Sequence, residues 1–345
     1  MVTPIEAPLL EVRHLHKRFD KPRGLVDLLS GAPARGLHAV RDVSFSIAAG
    51  ETLGIVGESG CGKSSLGRCL VGLHPPSAGE ILWRGRPINE LGDSFAISRK
   101  IQMIFQDPYS SLNPRMTLAQ TVGEALKVHG VGASKSERDD RIDQLLLTVG
   151  LPPRLKDRLP HAFSGGQRQR ISIARALAVG PELIVADEPV SALDASVQAQ
   201  IINLFEEIRE TMGVAFLFIA HDLNVVRHIS QRIGVMYLGQ MMELADADTL
   251  FDTPMHPYSR ALLSAIPLPD PEQRNLTPSL EGELPDPHNP PPGCAFSSRC
   301  PRVTAACLEA IPALDQYPSD HRVRCLHPYQ PQISNVYQGR SRHVL

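Results

Sequence analysis

The sequence predicts an α/β fold built on a mainly parallel sheet. Three observations predict it. Short apolar runs alternate with stretches of helical spacing through most of the chain. One apolar run, Leu53-Gly54-Ile55-Val56, leads into a glycine-rich loop and then a helix. Another, Leu183-Ile184-Val185-Ala186, ends in the acid pair Asp187-Glu188, which a buried strand would hold at the carboxyl edge of the sheet.

Taken in order, Leu9 to Arg13 reads as a first strand, in a region that Phe19 closes. Residues 20–38, rich in Gly, Pro and Ala, read as an inserted loop. Ala39 to Ile47 alternates as a strand should. A helix is predicted over Ser65 to Val71. Gly79 to Gly85 is strand then turn, and Lys100 to Phe105 a short strand ending at Gln106-Asp107-Pro108. Residues 117–150 switch to helical spacing, with Ile142, Leu145, Leu146 and Val149 on one face. Further helices are predicted over Gln167–Ala178, Val197–Glu210 and Leu223–Ile229. Strands are predicted over Leu183–Ala186 and Ala215–Ile219, and Arg232 to Glu243 has strand character. The helical block, about 107–170, interrupts the alternation and reads as a subdomain inside a first domain, 1–255. Eleven prolines between 254 and 292 disfavour long helices there, so 256–345 reads as a small irregular second domain.

The loop Gly57-Glu58-Ser59-Gly60-Cys61-Gly62-Lys63-Ser64 has all four fixed positions of a phosphate-binding P-loop. Its glycines let backbone N–H groups turn inward toward phosphate oxygens. The following helix N-terminus adds partial positive charge. Lys63 is placed for the β- and γ-phosphates and Ser64 for Mg²⁺, and with Ser65 these residues form the candidate nucleotide segment. Asp187 is the candidate water-mediated Mg²⁺ ligand and Glu188 the candidate general base. Cys61 stands at a variable position of the loop and is a candidate for attack by thiol reagents.

Phe163-Ser164-Gly165-Gly166-Gln167-Arg168-Gln169-Arg170 is a second glycine-rich helix start. A second phosphate cradle in one chain makes sense if it serves a nucleotide bound mainly by another subunit. With the P-loop and the acid pair, this stretch resembles the signature of ATP-binding cassette (ABC) ATPases. Gln106 matches the family's Q-loop, Ser191-Ala192-Leu193-Asp194 its D-loop and His221 its switch histidine. Phe163 stands where many members carry leucine, and an apolar side chain is kept.

The resemblance implies a RecA-like core, a helical subdomain and an N-terminal antiparallel part. It implies a head-to-tail dimer, each ATP lying between one P-loop and the partner's 164–167 segment, with Asp194 beside it. Hydrolysis would then open a dimer that the γ-phosphate holds closed. It assigns Gln106 to Mg²⁺ and phosphate sensing and His221 to the γ-phosphate. It also places an aromatic residue on adenine; Phe19 is the candidate, and a core-packing phenylalanine is the alternative.

Residues 106–115, His256-Pro257-Tyr258, Glu281-Gly282-Glu283-Leu284-Pro285 and Gly293-Cys294 go further. They resemble ATP-binding subunits of bacterial dipeptide and oligopeptide importers, with nickel and glutathione importers as alternatives. The implied partners are a second, paralogous cassette, two transmembrane permease subunits and, indirectly, an extracytoplasmic solute-binding protein. The implied location is the cytoplasmic face of the bacterial membrane.

Cys294, Cys300, Cys307 and Cys325 have five, six and seventeen residues between them. Spacing leaves a [4Fe–4S] cluster, zinc and free thiols open, with His321 and His327 as further zinc donors. The resemblance selects the cluster, in a structural or regulatory role. A net charge of −2 gives no bulk electrostatic case for nucleic acid. No basic-apolar leader opens the chain. The longest apolar run, Val214–Ala220, is far short of the roughly 20 residues a membrane helix needs. A soluble ABC-type ATPase acting on nucleic acid is the other-class alternative, and the chain lacks the long heptad repeats of repair ATPases.

Overall fold

The computed structural model describes residues 7–20, 36–92, 94–266 and 284–330. Most of the 20–38 loop and the stretch Glu281-Gly282-Glu283 lie outside the described residues. Two sheets organise the described residues. The smaller is antiparallel, in the order β2-β1-β4-β5, from β1 (Leu10–Asp20), β2 (Gly36–Ile47), β4 (Ala78–Trp83) and β5 (Arg86–Pro87). The first strand runs well past Arg13, through a polar segment with register shifts that broke its alternation. The second strand begins at Gly36, inside the expected loop.

The larger sheet has the order β11-β12-β10-β9-β3-β8-β7-β6. Its parallel centre is β3 (Thr52–Val56), β6 (Ile101–Ile104), β7 (Leu183–Asp187), β8 (Ala215–Ile219) and β9 (Arg232–Tyr237). Its strands are apolar on both faces, as a sheet covered on both sides requires. Leu183 and Val185 face the same core as Leu53, Ile55, Leu217 and the N-terminal sheet. Ile184, Ala186, Phe216 and Phe218 face the core shared with the helical block. The alternation follows from the two-residue period of a strand.

Helix α1 (Lys63–Leu70) follows β3 directly, two residues earlier than its apolar pattern suggested. Next come α2 (Ser94–Lys100) and α3 (Pro108–Ser111). The 117–150 block is two helices, α4 (Leu118–Val128) and α5 (Lys135–Thr148). Gly130 and Gly132, at φ +62° and +85°, turn the chain between them. The remaining helices of the first part are α6 (Gly165–Leu177), α7 (Ala195–Met212), α8 (Leu223–Ile229) and α9 (Ala247–Asp252).

Beyond residue 255 lie α10 (Pro257–Ser264), α11 (Ala305–Glu309), β11 (Asp315–Tyr317) and β12 (His321–Val323). These residues continue the main sheet. β12 pairs with β10 (Gln240–Asp246), placing Glu243 opposite Val323. Cys294, Ala295, Phe296 and Cys307 pack into the same apolar core as the helical block.

Candidate functional site

The carboxyl ends of β3, β7 and β8 and the end of β6 bring the predicted residues of one chain together. Gly62, at φ +106°, caps α1. A Cβ there would collide with the Ala39 carbonyl, so the tight turn into the helix needs glycine. Lys63 is 4% exposed, and its ammonium donates to the carbonyls of Gly57 (2.7 Å) and Glu58 (3.0 Å). The cation is thus held inside its own loop.

The Ser64 hydroxyl donates to Asp187 Oδ1 at 2.8 Å. Burial raises the Asp187 carboxyl above the ordinary range, while the Ser64 hydroxyl opposes the shift. A hydroxyl and a buried carboxylate side by side fit a hard, oxygen-ligated cation such as Mg²⁺.

Glu188 sits at φ +47°, a backbone state that costs roughly 1–3 kcal/mol for a residue with a side chain. Gln106 Nε2 donates to Glu188 Oε2 at 2.9 Å, and His221 Nδ1 lies 3.3 Å from the same oxygen. Two residues, from the ends of two different strands, thus converge on one carboxylate oxygen of a third.

The second glycine-rich start is a full capping box. Ser164 Oγ accepts from Gln167 N–H, and Gln167 Oε1 accepts from Ser164 N–H. Gly166 lies against Val197, and a Cβ there would collide with it. Asp194 caps α7, accepting from Val197 N–H at 3.0 Å.

Phe19 is half-buried, edge-on to His74, with the Lys17 ammonium 4.8 Å from its ring centre. Cys61 is 1% exposed, and burial pushes its thiol up. That combination argues against ready attack by thiol reagents, contrary to expectation.

Three comparisons bear on this geometry. Residues 40–191 match the family described as ABC transporter, and 242–307 match the oligopeptide/dipeptide transporter C-terminal region. The oligopeptide transport ATP-binding protein AppF of Bacillus subtilis is 48% identical over 94% of this chain and 99% of its own. The chain belongs to the ABC transporter ATP-binding proteins, in their oligopeptide branch. OppF of Escherichia coli is 46% identical over 94% of this chain and 98% of its own. Among solved structures, the dimeric, post-hydrolysis ATP-binding cassette MJ0796 with ADP and Pi is similar. It is 30% identical, with TM-score 0.59 over 69% of this chain and 98% of that one.

This ABC cassette is an ATPase subunit, and its described residues hold no helix long and apolar enough to cross a membrane. Its C-terminal region brings all four predicted cysteines to one small cavity, with His256, Phe296 and His327 also on its wall. Burial pushes the Cys294 and Cys300 thiols up, and backbone hydrogen bonds at Phe296, Ser297 and Arg302 oppose the shift only in part. His327 N–H donates to Cys325 Sγ at 3.3 Å. Four sulfurs on one cavity wall are soft donors, the type that suits zinc or an iron–sulfur group. Among the described residues no three side chains stand close enough to hold a single ion. His321, a candidate zinc donor, is bonded to buried Glu243 at 2.6 Å instead.

Sequence reasoning missed Arg299 and gave Tyr258 no role. Arg299 Nη1 donates to both carboxylate oxygens of Glu58, at 2.9 and 3.0 Å. Tyr258 Oη accepts from Glu58 N–H at 3.1 Å. Tyr258 stood in a motif already noted and Arg299 next to Cys300, but contacts spanning 200 and 241 residues leave no local signal.

Proposed function

We propose that this cassette couples Mg·ATP hydrolysis to the import of di- and oligopeptides, at the cytoplasmic face of a membrane. Its relatives' names support the peptide class, and the convergence of Gln106 and His221 on Glu188 carries the chemical reading. Glu188 takes a proton from the attacking water. Gln106 and His221 orient its carboxylate and meet the terminal phosphate. Lys63 exchanges the carbonyls of Gly57 and Glu58 for phosphate oxygens. Ser64, Asp187 and Gln106 would hold Mg²⁺, which would supply charge neutralisation for the bound triphosphate. Phe19 stacks on adenine.

The rest of the site comes from a second, paralogous cassette, whose Ser164–Gln167 equivalent and D-loop close over the nucleotide. This chain's own 164–167 segment and Asp194 serve the partner's nucleotide in return. Two permease subunits and an extracytoplasmic solute-binding protein complete the importer. Cys294, Cys300, Cys307 and Cys325 hold a [4Fe–4S] cluster. Support for that reading is the shared cavity and the His327 N–H donated to the Cys325 sulfur.

Purified protein should hydrolyse Mg·ATP slowly alone and faster with its permease subunits. Glu188→Gln should lower turnover by about 100-fold or more, the scale of a lost general base, and retain an ATP-bound dimer. Turnover equal to wild type would show that Glu188 is not the base. Iron and sulfide analysis after anaerobic purification checks the cluster; zinc or bare thiols would remove it.

A further inference from the structure

Glu58 is the second residue of the P-loop, so its carboxylate is a negative charge placed beside a site for a triphosphate. Like charges there weaken binding unless one is neutralised. Arg299 supplies the neutralising charge. Its guanidinium grips both carboxylate oxygens, its side chain is 6% exposed, and its Nη1 lies 3.4 Å from Tyr237 Oη. The same residue is held at two further points. Its N–H is bonded to Tyr258, whose ring is fully buried against Tyr237 and Phe296, with centroids 4.7 and 5.3 Å away. Its carbonyl accepts from the Lys63 ammonium. The carbonyl is held within the loop, by Lys63 and by the Cys61 N–H, while the N–H and the carboxylate of Glu58 are held by Tyr258 and Arg299 of the C-terminal region.

We propose that Arg299 and Tyr258 are positioning residues of the nucleotide site. Arg299 cancels the Glu58 charge and draws its carboxylate away from the phosphates. Tyr258 fixes the backbone from which Lys63 departs. Arg299 closes the short turn Ser297–Arg299, between Cys294 and Cys300. A rearrangement at the thiol cavity therefore reaches the P-loop through one side chain. This rests on the nucleotide-site reading above.

The test is direct Mg·ATP binding, at low and high salt, to full-length wild type, Arg299→Met, Glu58→Gln and the double variant. Thermal unfolding serves as the folding control. Arg299→Met should weaken binding by about tenfold at low salt, less at high salt, because the bared Glu58 carboxylate is screened. Glu58→Gln should tighten binding by roughly threefold, since the guanidinium then faces the triphosphate alone. The double variant should bind at least about fivefold better than Arg299→Met, because the repulsion is gone.

A double variant as weak as Arg299→Met would overturn the proposal, since loss of support alone would explain both. If Arg299→Met does not fold, Arg299→Lys keeps the charge and the comparison. It should bind within about threefold of wild type, and a loss as large as that expected for the Met variant would again overturn the proposal. Wild type that binds no Mg·ATP sinks the nucleotide-site reading itself, a different result from wild-type binding unchanged by these substitutions.

Discussion

At the scale of single residues, burial decides which reactive groups are available. Cys61 and Cys69 are 1% and 2% exposed, and burial pushes the Cys69 thiol up to about 11. Both should resist iodoacetamide in the native protein at pH 7.5 and react fully in denaturant, read by mass spectrometry. Cys69 also predicts a pH dependence. Its folded pKa lies above the 9.0 of an unperturbed thiol, so the unfolded chain ionises first as pH rises. Stability is therefore lost between about pH 9 and 11, by roughly 2–3 kcal/mol over that interval. Urea unfolding at pH 8 and 10.5 should show this loss in wild type. Cys69→Ala, although less stable throughout, should lack that share of the alkaline slope. The cysteine itself was legible in the sequence; its inertness was not, because burial against Leu66, the sheet and the N-terminal strands is a tertiary property.

At the scale of elements, the two glycines that open α6 separate stability from function. A Cβ on Gly165 meets Leu193 Cδ2 at 3.4 Å, a contact that a small shift relieves. A Cβ on Gly166 collides with Val197. Alanine also favours a helix over glycine by about 1 kcal/mol. Gly165→Ala should therefore unfold within about 1 kcal/mol of wild type. If this helix start receives the partner's nucleotide, the same variant should lose most of its turnover. Gly166→Ala should lose both, with a destabilisation of about 1–3 kcal/mol from overpacking. Ser164→Ala should cost about 1 kcal/mol through the lost cap. Denaturant unfolding and an ATPase assay on the same preparations check all three.

This level was the most legible in the sequence. The helix over Leu223–Ile229 and the strand over Ala215–Ile219 follow their apolar periods residue by residue. Where the period failed, tertiary pairing had taken over. β1 carries Arg13, His14 and His16 because one edge pairs with β2 and the other with β4 while half its face meets solvent. β11 and β12 are three residues each, too short to show any period.

At the scale of the molecule, the composition change near Pro254 does not coincide with a break in hydrogen bonding. β12 continues the main sheet, and two buried charged side chains fasten the region around it. Glu243, fully buried in β10, accepts from Met255 and His256 N–H groups and from His321 Nε2. Arg324, 3% exposed, donates to the Met241 and Pro312 carbonyls and to the Asp42 carboxylate of β2. The C-terminal region is thus bonded to both sheets and, through Arg299 and Tyr258, to the P-loop. A chain ending at 255 would strip the pairing edge of β10 and leave Glu243 without His321. A buried charge that loses its partner costs about 3–5 kcal/mol. For a chain of this size that is a drop in unfolding midpoint on the order of 10 °C, before the bared apolar surface of Tyr237 and the helical block is counted. His321→Ala in the full chain should show the smaller, charge-only share of that loss. An ordinary thermal melt of residues 1–255 decides the matter. A fragment that unfolds cooperatively at the full-length midpoint would mean that the tail is carried by the cassette without supporting it. A lowered or uncooperative transition means that one folding unit contains the nucleotide loop and the four thiols, so that nothing can loosen the second without the first responding.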